Sequence, residues 1–325
     1  MTPLVSILIP AHNAGAWIAE TIDSCLAQTW PRIEVVVVDD GSTDSTLNIA
    51  RSYESKGVRV FSQENMGASS ARNRAWDESR GEWLQFLDAD DLLEREKVAA
   101  QMALAEALGG DFAYCSRWTR FSGSIAGADH TPQPLCTDSD PLDWLIIKLR
   151  DDAMMHPAAW LLSRSLAEAA GRWDGALTLD DDGEFFSRVV IASRGVRFCS
   201  RALSYYRSNT PGSLSSRRTR AAWLSAFRSL TLTSERLQSL RPGQAARSAA
   251  ANAFQRLAYA AYPDEPRLAR RCEERAVALG GTDVRPGGGR IFRAVAAVAG
   301  WRVARRLQAA RARASATDKG SHPVR

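Results

Sequence analysis

The chain has little of what marks disulfide scaffolds, zinc modules or membrane spans. Its five cysteines (Cys25, Cys115, Cys136, Cys199 and Cys272) are scattered, odd in number and form no C-x-x-C pair. That argues against a disulfide framework or a cysteine-built zinc site, and it fits a reducing cytoplasm. The four histidines, His12, His130, His156 and His322, are too dispersed for a histidine metal site. No uncharged apolar run reaches the roughly 18 residues that a spanning helix needs. The opening MTPLVSILIPAHN lacks the basic n-region and cleavage site of a secretory signal, and no internal repeat is visible. A cytoplasmic, soluble or peripheral protein is expected, and the 45% hydrophobic content is ordinary for a globular chain with a sizeable core.

What is present is unevenly distributed. Residues 215–325 hold 22 Lys and Arg against 7 Asp and Glu, whereas residues 1–214 hold 20 against 30. The acidic part suits a body that carries a metal. The basic tail suits an anionic surface, or the solvated face of Arg-rich helices.

Val35–Ser42, VVVVDDGS, is the most informative stretch. A continuous β-branched run closed by a turn signal reads as a buried strand of a parallel sheet. Open α/β sheets bind ligands in the crevice beyond the carboxyl ends of their strands, so Asp39 and Asp40 stand at the lip of a site. The same pattern recurs at Trp83–Asp91, WLQFLDADD. Two strand ends carrying acid clusters suggest a metal-assisted nucleotide site.

The rest of the N-terminal part alternates strands and helices. Strands are expected at Val5–Pro10, Ile33–Val38, Val58–Phe61, Trp83–Leu87, Phe112–Ser116 and Trp160–Ser163. Helices are expected at Ala16–Gln28 (Trp17, Ile18, Ile22 and Leu26 on one side), Asp44–Tyr53 capped by Asp44, Ser69–Ser79 and Asp182–Ile191. Asp91-Leu92-Leu93-Glu94 has the form of a capping box opening a helix to Leu108. This alternation means βαβ units and a mostly parallel, Rossmann-like sheet flanked by helices. Residues 121–141 read as a loop or edge excursion. From Thr219 to Leu279 the chain reads as helical; a Pro-Gly-Gly-Gly break at 286–289 precedes a last helix from Ile291 to Arg313 and a disordered final dozen residues. The expected division is a main domain at 1–214, a helical extension at 215–285 and a basic amphipathic tail at 290–325.

Three constellations carry chemistry. Asp88-Ala89-Asp90 is the candidate site for Mg²⁺ or Mn²⁺, since hard cations take oxygen ligands and Mg²⁺ commonly uses one or two carboxylates plus substrate phosphates. Asp91 is assigned to capping. Asp39 can accept from the imide N–H of a uracil-type base, with Asp40 the more solvated of the two. In Asn65–Asn73, the Gly67 turn leads into a helix N-terminus suited to phosphate, and Arg72 could pair a phosphate or stack on a base.

Together these blocks resemble a family 2 glycosyltransferase with the GT-A fold. The resemblance runs through PAHN (Pro10, Ala11, His12, Asn13), QTWPRIEVVVVDDGSTD (Gln28–Asp44), ENMGASSARN (Glu64–Asn73) and FLDADD (Phe86–Asp91), in matching order and spacing. The family has an aromatic where Ala11-His12 stands, and His12 is the residue that would substitute. The resemblance implies Asp39 on the nucleotide base, Arg72 near base or diphosphate, and Asp88 and Asp90 on ribose and metal. It implies further that His156-Pro157-Ala158-Ala159-Trp160-Leu161 lies on the acceptor side, with His156 and Trp160 lining that cleft. The family's catalytic base belongs to an acidic pair ahead of an aromatic-rich helix with an Arg. Here Leu179–Arg188 carries three consecutive acids, and counting back six from Arg188 selects Asp182, with Asp181 the alternative. Acid-rich helix starts also arise for dipole reasons alone. Tyr205-Tyr206-Arg207 ahead of Asn209–Ser215 resembles a late strand and a loop that closes over the donor, or is a structural edge strand.

The expected activity is metal-dependent, inverting transfer of a sugar from a nucleoside diphosphate, UDP by the Asp39 argument, to a saccharide or lipid-linked acceptor. Cell-surface polysaccharide or glycolipid synthesis at the inner face of the membrane is the implied setting. The last helix would put Phe292, Val295, Ala299, Val303 and Leu307 on one stripe beside Arg290, Arg302 and Arg305, for anionic lipid or for packing on the body. A nucleotidyltransferase of similar fold would want a basic Gly-rich loop after the first strand, whereas Ala11–Gly15 has no base in it. A catalytically silent binding protein fits poorly with intact acids at every site. A nucleic-acid partner is not expected, because the tail lacks the interleaved aromatics of a single-strand binder.

Overall fold

The computed structural model describes residues 2–129, 131, 133–210 and 218–319. The valine run does form a buried strand, and its alternation explains the layering. Val36 and Val38 point into one hydrophobic core, while Val35 and Val37 point into the other. Such two-sided burial is what a central strand covered by helices on both faces requires.

Val5–Ala11 (β1), Ile33–Asp40 (β2), Arg59–Gln63 (β3) and Trp83–Phe86 (β4) form a parallel block in the order β3-β2-β1-β4. Beyond β4 the pairing is mixed. Trp160–Ser163 (β8) runs antiparallel to β4 and to Ala113–Ser122 (β6), while Val196–Arg207 (β9) is parallel to β6 and antiparallel to the two-residue Leu92–Leu93 (β5). Ser124–Asp129 (β7) folds back on β6 as an edge hairpin, so part of the expected loop excursion is a strand.

Helices Ile18–Leu26 (α1), Thr46–Ser52 (α2), Ala68–Glu78 (α3) and Lys97–Leu108 (α4) cover the sheet. The capping box at Asp91 does not exist. Leu92 and Leu93 pair with β9, and α4 starts four residues later, at Lys97. Nor does Leu26 join the buried face of α1; it is exposed, and Ile18, Thr21, Ile22 and Cys25 face inward. The helix Pro141–Asp151 (α5) escaped the periodicity reading although its start is well marked. Asp140 accepts from the amide of Leu142 at 2.9 Å, and Pro141 occupies the first turn.

Arg164–Ala170 (α6) and Asp181–Ala192 (α7) precede three helices, Arg220–Leu240 (α8), Gln244–Ala261 (α9) and Pro266–Ala278 (α10). These helices of the expected extension share a core with the part before them. Trp223, Leu230 and Phe254 belong to the same buried cluster as Trp144, Trp160 and Phe186. The expected last helix is two, Arg290–Ala299 (α11) and Trp301–Lys319 (α12), divided at Gly300 with φ +82°. The expected disordered end falls partly on α12, and residues 320–325 lie outside the described residues, as does 211–215 of the expected closing loop.

Candidate active site

The parallel register sets Ala11 beside Asp39, so the loops after β1 and β2 leave the sheet together. Hydrogen bonds staple them. Asn13, in the left-handed region at φ +50°, accepts from the Thr43 amide at 2.9 Å, and its own amide donates to Ser42 Oγ at 3.0 Å. His12 Nδ1 lies 2.8 Å from the carbonyl of Asp40. A carbonyl only accepts, so Nδ1 carries the proton and Nε2 faces the Asn13 and Asn65 amides at 3.1 and 3.2 Å. Gly41 turns the chain at φ +67°, and a Cβ there would stand 2.8 Å from the Asn65 nitrogen. Pro10 and Ala11 are buried strand residues with no side-chain polar group to offer.

The two adjacent acids differ sharply. Asp40, expected at the donor and solvated, is buried and fully occupied: it accepts from Gln63 Nε2 at 2.8 Å and from the amides of Met66 and Gly67 at 2.9 and 2.8 Å. The Gly67 turn therefore presents that amide to Asp40 and not to a phosphate. Asp39 is as deeply buried, yet its Oδ1 has no partner among the described residues, while Oδ2 accepts from the Ser42 amide at 3.3 Å. An orphaned buried acceptor is costly unless a ligand completes it.

Arg72 departs most from expectation. Its guanidinium is buried, donating from Nη1 to Asp181 Oδ2 and from Nη2 to Asp88 Oδ1, each at 2.7 Å, and it lies 4.4 Å from the ring centre of Trp173. Against the penalty of burial, Asp88 and Asp181 hold its proton more tightly still. Ser69 Oγ donates to the same Asp181 oxygen at 2.8 Å, and Asn73 exchanges two hydrogen bonds with the Trp173 backbone at 2.9 and 3.0 Å. Ser69, Arg72 and Asn73 stand at i, i+3 and i+4, one face of α3. Their spacing was readable in ASSARN; that they clamp the segment 173–181 was not.

Asp88 and Asp90 follow β4, with the buried Ala89 between them. Asp90 is half-buried, and burial together with Asp91 and Asp88 pushes its carboxyl up to about 7. Such crowding of negative charge is what a divalent cation relieves. Among the described residues no three metal-ligating side chains converge, so substrate oxygens would have to complete the coordination of a cation held by Asp88 and Asp90. Asp91, not a cap, is buried and accepts from the Arg207 amide at 2.9 Å. Arg207 also donates from Nε to the Asp90 carbonyl at 2.8 Å and reaches Glu20, which holds the acid-bearing turn against β9.

His156 does not line a cleft. It is buried, with Nδ1 at 2.9 Å from Asp91 Oδ2 and Nε2 at 2.9 Å from Ser204 Oγ. Burial pushes His156 down to about 3 and raises Asp91, and the two hydrogen bonds peg the ring between Asp91 and Ser204 of β9. Trp160 is likewise internal, stacked on Phe186 at 5.1 Å. Neither side chain reaches an acceptor.

The three acids at the start of α7 have separate fates. Asp180, at φ +61°, accepts from Ser229 Oγ at 2.6 Å and lies across the turn above Gly183, where a Cβ would sit 2.1 Å from Asp180 Oδ1. Gly183→Ala should therefore cost about 1–3 kcal/mol in urea unfolding, and Asp180→Ser in the same chain should recover most of it; an unchanged midpoint would contradict this close approach. Asp181 is tied to Arg72 and Ser69. Asp182 is half-buried and makes no hydrogen bond or ion pair with a described residue. Burial, Asp181 and Asp180 raise its carboxyl to about 7.

Strand ends bearing acids, facing helix starts across a mixed sheet, define a GT-A-like fold. Residues 6–170, half of the chain, match the model of Glycosyl transferase family 2, and the chain belongs to that family. TuaG of Bacillus subtilis (strain 168), a glycosyltransferase named for teichuronic acid biosynthesis, is 41% identical over 103 residues, 31% of this chain and 41% of TuaG. The match thus spans less than half of that relative's length. Among solved structures, S. aureus TarS in complex with UDP-GlcNAc superimposes with a TM-score of 0.59 at 19% identity, covering 85% of this chain and 89% of that one. The mannosyltransferase PcManGT from Pyrobaculum calidifontis, in complex with GDP-Man and Mn²⁺, gives 0.52 at 20% identity over 97% of this chain and 81% of that one. No helix of the described residues is long and apolar enough to cross a membrane.

Proposed function

We propose that the chain is a metal-dependent inverting glycosyltransferase that moves a sugar from a UDP-linked donor to a hydroxyl of a saccharide or lipid-linked acceptor. The observation that carries this reading is Asp182: a carboxylate with no hydrogen bond or ion pair among the described residues, raised to about 7, at the start of α7 and joined through Asp181 and Arg72 to Asp88. Asp182 removes the proton of the acceptor hydroxyl as its oxygen forms the bond to the anomeric carbon. The bond from that carbon to the diphosphate breaks on the opposite face, and the diphosphate leaves with the electron pair. Asp88 and Asp90 would hold a divalent cation, whose chemistry when bound would be to neutralise charge on that leaving group. The Oδ1 of Asp39, without a hydrogen bond among the described residues, suits an imide N–H of a uracil base, with His12 and Asn13 exposed nearby. UDP-GlcNAc and GDP-Man with Mn²⁺ in the two neighbouring structures support a nucleotide-sugar donor. The name of TuaG supports a place in cell-surface polymer synthesis.

The test is ligand-dependent melting. UDP with Mn²⁺ at about 100 times its Kd should stabilise the protein by about 2.7 kcal/mol, and Asp90→Ala should remove the metal-dependent part without unfolding the chain. Equal stabilisation by UDP in excess EDTA would reject the metal assignment, and a panel of donors scored for slow hydrolysis would then identify the nucleotide.

A further inference from the structure

Helices α11 and α12 are fastened to the body by their inner faces only. Phe292 is buried, and Trp301 packs edge-on against Tyr259 and Tyr262 at 4.7 and 5.2 Å. Arg302 pairs with Glu273 of α10, and Arg305 lies over the Phe292 ring. This redraws the stripe expected from sequence. Phe292 points inward while Val303 and Leu307 point outward, because Gly300 breaks the helix and resets its phase.

The outward faces remain apolar. On α11 it is Ile291, Ala294 and Val298, at i, i+3 and i+7, with Ile291 66% and Val298 91% exposed. On α12 Val303 and Leu307 are exposed four residues apart. Arginines flank the face of α11, Arg290 and Arg293, both exposed, while on α12 Arg302 is held by Glu273 and Arg306 lies over the Tyr262 ring. Between residues 284 and 317 there are eight arginines and no Asp or Glu. A second copy of this chain would bring the same arginines against each other. An anionic partner with an apolar interior removes both penalties.

We propose that the outward faces of α11 and α12 lie on an anionic lipid surface, with Ile291 and Val298 entering the acyl boundary and Arg290 and Arg293 meeting the headgroups. The surface does not depend on the transferase reading, since binding requires neither donor nor metal.

The test is co-sedimentation of the full-length protein with vesicles of phosphatidylcholine alone or of phosphatidylcholine with phosphatidylglycerol, without nucleotide. Binding should need phosphatidylglycerol and weaken at high salt. Arg290→Gln and Arg293→Gln should each weaken it about fivefold. Ile291→Ser with Val298→Ser, which keeps every charge, should weaken it by at least about tenfold. All four sites are exposed, so the melting temperature should not move. Absence of binding to the anionic vesicles, or binding unchanged in the Ile291→Ser/Val298→Ser variant, overturns the proposal. So does a concentration-dependent dimer in light scattering that this double variant abolishes while vesicles fail to bind, because the face would then join copies of the chain.

Discussion

Asp182→Asn should lower kcat by roughly 10²- to 10⁴-fold, the usual contribution of a general base, while the affinity for UDP and metal barely changes. The substitution keeps shape and removes only the capacity to take a proton. In the unaltered enzyme kcat should rise with pH through an apparent value near 7, because the base acts ionised and burial with Asp181 and Asp180 holds its proton to about that point. Asp181→Asn removes a negative neighbour and frees Arg72 to act on Asp182, so the rising limb should move to lower pH. Asp180→Asn and Asp181→Asn should lose less activity, since Ser229 engages the first and Arg72 with Ser69 the second. Should Asp181→Asn be inactive with Asp182→Asn retaining most turnover, the base is one residue earlier. Full activity in all three variants would place it outside this run.

Arg72→Met should be the most destabilising single change in the site. Removing one partner of a buried ion pair costs about 3–5 kcal/mol, because the remaining charge stays buried without compensation. Asp88 is partly open to water, with its side chain 29% exposed, which sets the expectation near the lower figure. Urea unfolding measures it, and adding Asp181→Asn should recover part of the loss by neutralising the deeper acid. A second variant, Arg72→Lys, distinguishes two roles. An arginine acting on the diphosphate would, as Arg72→Lys, weaken UDP binding with little change in stability. An arginine that ties α3 to α7 would, as Arg72→Lys, lower stability and kcat while UDP affinity holds, since a lysine ammonium cannot span Asp88 and Asp181 with a planar fork. Retained stability together with lost UDP affinity would rule out the bridging role.

The local grammar determined much of the architecture. Val35–Val38 is a buried central strand because four β-branched residues in a row suit a pleat covered on both faces, and the acids that follow lie at the sheet's carboxyl edge because strand direction puts them there. Family membership was legible for the same reason: PAHN, VVVVDDGSTD, ENMGASSARN and FLDADD are contiguous blocks, each carried by one strand end or helix start. Partnership between blocks was not legible. Asp39 and Asp40 are neighbours in sequence, yet their opposite pointing gives one an unfilled acceptor and the other three donors. Asp91 looked like a cap until β9 supplied the Arg207 amide and the turn before β8 supplied the His156 ring, 116 and 65 residues away. Arg72 reaches Asp181 across 109 residues. His156, Trp160 and the stripe on α11 were assigned from position along the chain, whereas burial and the Gly300 break, which depend on what packs opposite, decide which way a side chain faces. A sequence specifies which groups can ionise, donate or accept; only packing decides which of them are already engaged, and among the described residues Asp39 Oδ1 and Asp182 are two acidic groups at the candidate site that packing leaves without a hydrogen bond.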